Sequence, residues 1–198
     1  MKPRHPAFGD SLRAALLLAA FTWAGGAGAA SVSKTEYRLD HEKAQAAYKL
    51  EWNSCAKLHG KPKDACKVEA RGHFQVAKAE IDARHKRTPK HEDKVKLAKA
   101  EAAYRLAAKK CDDLGGNARD VCKLDAKATW VAARGEASLS RASVDKGVYS
   151  RQATTERKDV REDNAAAVLA ASRERCDPLS GAAKASCLAD AKKKSGAP

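Results

Sequence analysis

Residues 111–122 read CDDLGGNARDVC, and the same framework stands at residues 55–66 as CAKLHGKPKDAC and at residues 176–187 as CDPLSGAAKASC. Each stretch opens and closes on cysteine and carries Leu three places on, Gly two further and a basic residue three beyond. All six cysteines of the chain fall in these three pairs. Self-similarity at a fixed period marks an internal repeat, and a repeat decides the architecture before any local reading does. The likeness runs past the cysteines: Tyr48 and Tyr104 precede theirs by seven residues, and Phe74 and Trp130 follow theirs by eight.

Each cysteine lies about one helical turn from the glycine between them, so the two thiols can meet across a helical hairpin. We therefore expect Cys55 to bond Cys66, Cys111 to bond Cys122 and Cys176 to bond Cys187. A closed loop of this size stabilises by about 3 kcal/mol in the loop-entropy model. Zinc sites favour cysteines two to four residues apart, and no C-x-x-C occurs to suggest thiol redox chemistry.

Around these loops the chain reads as helix. Alanine, lysine, glutamate and arginine dominate, all good helix formers. Ser33 with Glu36 has the pattern of a capping box, opening a helix that puts Tyr37, His41, Ala44, Tyr48, Trp52 and Cys55 on one face. That helix is expected to reach Leu58 and stop at Gly60, with Pro62 in the first turn of the next. The return helix places Cys66, Ala70, Phe74, Ala77 and Ile81 in line, sets Glu80 to pair with Arg84, and ends near Arg87. In the second unit Leu97, Ala100, Tyr104, Ala107 and Cys111 share a face, Gly115 and Gly116 turn the chain, and Asn117 with Asp120 opens the return helix. Gly135 weakens the end of that helix. The third unit is degenerate: Leu169 replaces the tyrosine, and a short arm ends in Lys192, Lys193 and Lys194, as a capping repeat would.

The predicted fold is all-α: an elongated array of three disulfide-stapled αα-hairpins, spanning residues 31–88, 91–146 and 150–194. Residues 1–29 are expected to be a cleaved signal peptide. Lys2, Arg4 and Arg13 precede an apolar run from Ala14 to Trp23, and Ala27 and Ala29 form a small-x-small cleavage site. That run is too short for a bilayer span, so no transmembrane segment is expected in the mature chain. Export also suits the cysteines, since disulfides persist in oxidising compartments.

The whole chain carries a formal charge of +14; without residues 1–29 it keeps 36 basic and 24 acidic side chains, a net +12. Such a field favours anionic partners: lipopolysaccharide, phospholipid surfaces, acidic proteins or nucleic acid. Lys63, Arg119 and Lys184 stand at equivalent places in the three loops, beside helix N-termini where anions are favoured, and are candidate anion-binding positions. In a plainer account the adjoining Asp64 and Asp120 neutralise them. The aromatic residues are expected to fill the seams between paired helices rather than to form exposed stacking platforms.

His41, His59, His73, His85 and His91 include no two that stand three or four apart on one expected helix, so no metal site is expected. Neither a nucleophile elbow nor another catalytic motif occurs. No enzymatic activity and no cofactor are expected.

The Ser33-x-x-Glu36-Tyr37 opening, the Ala102-Ala103-Tyr104 block and the run from Cys111 to Ala126 resemble a group of exported Ala/Lys-rich proteobacterial proteins, often labelled TolA-like cell-envelope biogenesis proteins. The resemblance covers about residues 31–194 and implies an envelope location and a helical build. It carries no catalytic or binding residue. The expected role is a non-catalytic periplasmic structural or adaptor protein that holds anionic envelope components on basic helical faces. The alternative is a holdase-type chaperone for unfolded or acidic periplasmic proteins. Nucleic acid ranks last among partners because no recognition module accompanies the charge.

Overall fold

The computed structural model describes residues 33–147 and 149–196; the expected signal peptide lies outside the described residues. Six α-helices follow one another: α1 (Lys34–Ser54), α2 (Gly60–Lys86), α3 (Pro89–Lys110), α4 (Gly116–Lys146), α5 (Arg151–Cys176) and α6 (Gly181–Ser195). No strand occurs among the described residues. Each helix packs mainly on the helix before it and the helix after it. The expected all-α fold of three hairpins, α1/α2, α3/α4 and α5/α6, is the fold observed.

The three disulfides close these hairpins. Cys55–Cys66, Cys111–Cys122 and Cys176–Cys187 hold their Cα atoms 5.7, 5.7 and 5.8 Å apart, ordinary separations for the bond. The first cysteine of each pair is almost wholly buried. Among the described residues, the apolar side chains that join it in the interior are nearly all alanine: Ala70, Ala137, Ala153, Ala171 and Ala191, with Ile81 the one bulky aliphatic. Burying an alanine removes little apolar surface from water, so the cross-links supply what the side chains lack.

The repeat's glycine has a role other than the expected one. Gly60 does not close α1. That helix ends at Ser54 and tightens into a 3-10 turn over Cys55–Lys57, while Gly60, Gly116 and Gly181 stand first in α2, α4 and α6. Their φ angles are +57°, +52° and +57°, a conformation that side chains strain to adopt. One positive φ five residues after the cysteine therefore turns the chain into each return helix.

At the start of α1 the capping box forms as expected: Glu36 N–H donates to Ser33 Oγ at 3.1 Å, and Ser33 N–H donates to Glu36 Oε2 at 2.8 Å. The Ser33 donors hold the Glu36 carboxyl below its ordinary value. Asn117 does not cap α4. Gly115 occupies that position, and the Asn117 amide donates instead to the Glu174 carbonyl of α5 at 2.6 Å. Nor does Glu80 pair with Arg84. Glu80 meets Lys99 of α3 at 2.8 Å and Arg84 meets Asp40 of α1 at 3.3 Å, because neighbouring helices offer partners closer than one turn along α2.

The hairpins also pack on each other. Helices α2 and α3 approach so closely that a Cβ on Gly72 would stand 3.0 Å from the Ala102 Cβ. At the α4/α5 crossing a Cβ on Gly135 would stand 2.5 Å from Val160 Cγ1 and 3.5 Å from Val160 Cβ. Gly135 thus marks a crossing of helices rather than a helix end, and α4 continues eleven residues beyond it to Lys146.

Candidate functional site

The up-and-down order of the helices puts all three disulfide loops at the same end of the hairpin row, and side chains join them laterally. From the first loop Lys61 Nζ donates to the Asp112 carbonyl at 2.5 Å, and Asp64 meets Lys109 at 3.2 Å. Lys109 and Lys123 both grip the Asp112 carboxylate, at 3.2 and 2.8 Å. The hydrogen bond from Lys123, then that from Lys109, holds Asp112 below the ordinary carboxylate value, while Asp112 and Asp64 raise Lys109. Between the second and third units, Asp125 takes both hydrogen bonds from one Arg175 nitrogen, at 2.5 and 2.6 Å.

This network assigns different fates to the three candidate anion-binding residues. Arg119 lies 3.7 Å from Asp120, and Lys184 lies 3.1 Å from Asp177. Their charges are matched locally. Asp64 serves Lys109 of the next hairpin and not Lys63, which has no carboxylate partner among the described residues. The loops therefore do not present three equivalent cations to an anion.

Aromatic side chains occupy the seams as the spacing predicts. Tyr48 stacks on Phe74 with ring centroids 4.9 Å apart, and Tyr104 stacks on Trp130 at 5.5 Å. The same offsets from the cysteines thus generate the same pair in two hairpins. Trp52 lies beside Tyr48 and beneath Lys67, whose ammonium stands 4.8 Å from the indole centre.

At the other end of the first hairpin Tyr37 holds α1 to α2. Its hydroxyl donates to Asp82 Oδ1 at 2.6 Å, with His85 tilted over its ring and His41 Nε2 3.7 Å from the same carboxylate. The Tyr37 hydrogen bond is the main reason Asp82 sits below 3.8, and Asp82 in turn raises Tyr37 above 10.0. The depressed carboxylate contributes stability above its unfolded value and loses it as pH falls through the folded one. The raised phenol contributes fully below its unfolded value and loses it as pH climbs through the folded one. Tyr37→Phe is therefore expected to lower the unfolding free energy at neutral pH, read from urea denaturation, by about 1 kcal/mol. The gap from the parent should close as pH falls through the lowered Asp82 value and as it climbs through the raised Tyr37 value; a gap of constant size would mean that the hydroxyl contributes without regard to the charge on Asp82.

A groove of about 760 Å³ runs between α2, α3 and α4, and sequence reasoning missed it. Val68, Gly72, Ala79, Leu97, Ala98 and Ala102 furnish its apolar lining, with Trp130 from α4. Arg71, Lys78, Lys94, Arg105 and Arg134 also line it, against only two acids, Asp82 and Glu101. Both acids are engaged: Glu101 takes the Arg105 Nε–H at 2.7 Å, and Asp82 takes the Tyr37 hydroxyl. Arg71, Lys78, Lys94 and Arg134 have no carboxylate partner among the described residues. Arg134 lies 4.6 Å over the Trp130 ring and Lys78 lies 5.5 Å over Phe74, contacts that leave their charge available.

Among the described residues no group of three or more His, Cys, Asp or Glu side chains is placed to hold a metal ion, and no helix is long and apolar enough to cross a membrane. No family model matches the sequence, and comparison with curated proteins and with solved structures gives no match.

Proposed function

We propose that this chain is a non-catalytic adaptor of the cell envelope, exported to an oxidising compartment, whose basic helical faces hold anionic partners. The observation that carries the reading is the coupling of three cross-linked hairpins to cations that lack carboxylate partners. Three disulfides suit life outside the reducing cytosol. Lateral ion pairs between loops hold successive hairpins in register, and the excess of Lys and Arg favours negatively charged surfaces.

In-cell crosslinking of the oxidised protein, with mass spectrometry of what is captured, tests the proposal. An adaptor captures a discrete anionic envelope component. Its association should fall by at least about tenfold between 0.1 and 1 M salt, where the screening length shrinks from about 10 to about 3 Å. Association that ignores salt would overturn the electrostatic basis. Capture of a broad set of unfolded chains would move the case to a holdase.

A further inference from the structure

We infer that the groove between α2, α3 and α4 is a docking site for an acidic amphipathic helix of a partner protein. The inference rests on the adaptor reading and specifies the chemistry of the partner. An apolar floor flanked by unpaired cations calls for a guest that is apolar on one side and anionic on its flanks. Two classes of guest meet that description: a single-chain amphiphile with one charged head, and a helix with acidic residues along both edges of an apolar stripe.

The placement of the cations decides between them. Arg71 and Lys78 are seven residues apart on α2, about 10 Å along the helix. Lys94 is the first residue of the α3 lining, while Arg134 stands on the α4 wall over Trp130. Charge is thus distributed along the groove and across it. A one-headed amphiphile needs its cations gathered at one mouth and gains nothing from the rest. An acidic helix presents a carboxylate on each edge at every turn or two and can answer cations on both walls. The small side chains of Ala98 and Ala102, both only partly buried, leave room on the floor for guest side chains, and the half-buried Trp130 indole with Arg134 offers the residue types that most often anchor such interfaces.

The test uses the full oxidised protein and a fluorescein-labelled synthetic peptide of about four turns, with leucine at i, i+4, i+7 and i+11 and glutamate on both flanks, read by anisotropy. Two control peptides replace either every leucine by serine or every glutamate by lysine. Binding of the parent peptide alone is expected, with both controls at least about tenfold weaker. Arg71→Glu with Arg134→Glu is expected to weaken the parent peptide by at least about tenfold and to restore part of the lysine peptide's affinity. Circular dichroism of this variant checks its helicity, and the three-peptide comparison on the unmodified protein stands without it. Equal binding of the serine control would reduce the site to bare charge and overturn the inference. So would displacement of the peptide by laurate at lower concentration than by unlabelled peptide, which would assign the groove to a lipid. The adaptor reading fails separately: a peptide that does not bind, beside salt-sensitive envelope crosslinks through other faces, sinks the groove and leaves the adaptor standing.

Discussion

Replacing Cys111 and Cys122 together by alanine is expected to cost the oxidised protein about 3 kcal/mol. That is a large share of the 5–15 kcal/mol by which natural domains are stable. The buried apolar residues are nearly all alanine, so little apolar area stands ready to offset the loss. It should also spread. The Asp112 carboxylate that Lys109 and Lys123 share lies next to Cys111, and the same network reaches Asp64 in the first hairpin. Urea denaturation should show a lower midpoint with a somewhat steeper slope, since a chain without the cross-link exposes more surface when unfolded. Hydrogen exchange should quicken in the first and second loops together. A midpoint unchanged within error would mean that helix packing, and not the cross-link, sets the stability.

The second large effect concerns the α4/α5 crossing. In an exposed helix Gly→Ala stabilises by up to about 1 kcal/mol. At Gly135 the added methyl would stand 2.5 Å from a methyl of Val160. Valine in a helix holds essentially one rotamer, so it cannot swing aside. Overpacking costs about 1–3 kcal/mol, which exceeds the propensity gain, and Gly135→Ala should destabilise by about 1–2 kcal/mol. Gly72→Ala supplies the contrast. There the contact with Ala102 is 3.0 Å, a few tenths of an ångström of give suffices, and the change should be near neutral. In a double-mutant cycle, Val160→Ala should relieve the Gly135→Ala penalty. Additive losses would show that the crossing adjusts freely.

The hairpins were legible in the sequence because their determinants are local. A cysteine, a glycine five residues later and a second cysteine six beyond it are read along one strand of text, and so are the aromatic offsets that place Tyr48 on Phe74 and Tyr104 on Trp130. What packs one hairpin on the next was not legible. Asp64 and Lys109 stand 45 residues apart, and nothing in either neighbourhood names the other. The same competition misassigned Glu80, Arg84 and Asn117. Local rules offered each an intrahelical role, and an adjacent helix supplied a closer partner. The groove escaped for a related reason: its cations come from three helices, and each alone looks like an ordinary solvated charge.

The disulfide loops also divide the backbone into segments that differ in what a protease can accomplish. A cut after the exposed Lys57 falls inside a covalent ring, so both arms stay attached and the molecule keeps its continuity. A cut at the exposed Arg87, or beside Tyr149, which is 95% exposed, falls outside every ring and leaves the two pieces joined only by non-covalent contacts. In a compartment rich in proteases, the chain can be nicked three times at one end and remain one covalent molecule, while a single nick at the other end breaks its covalent continuity.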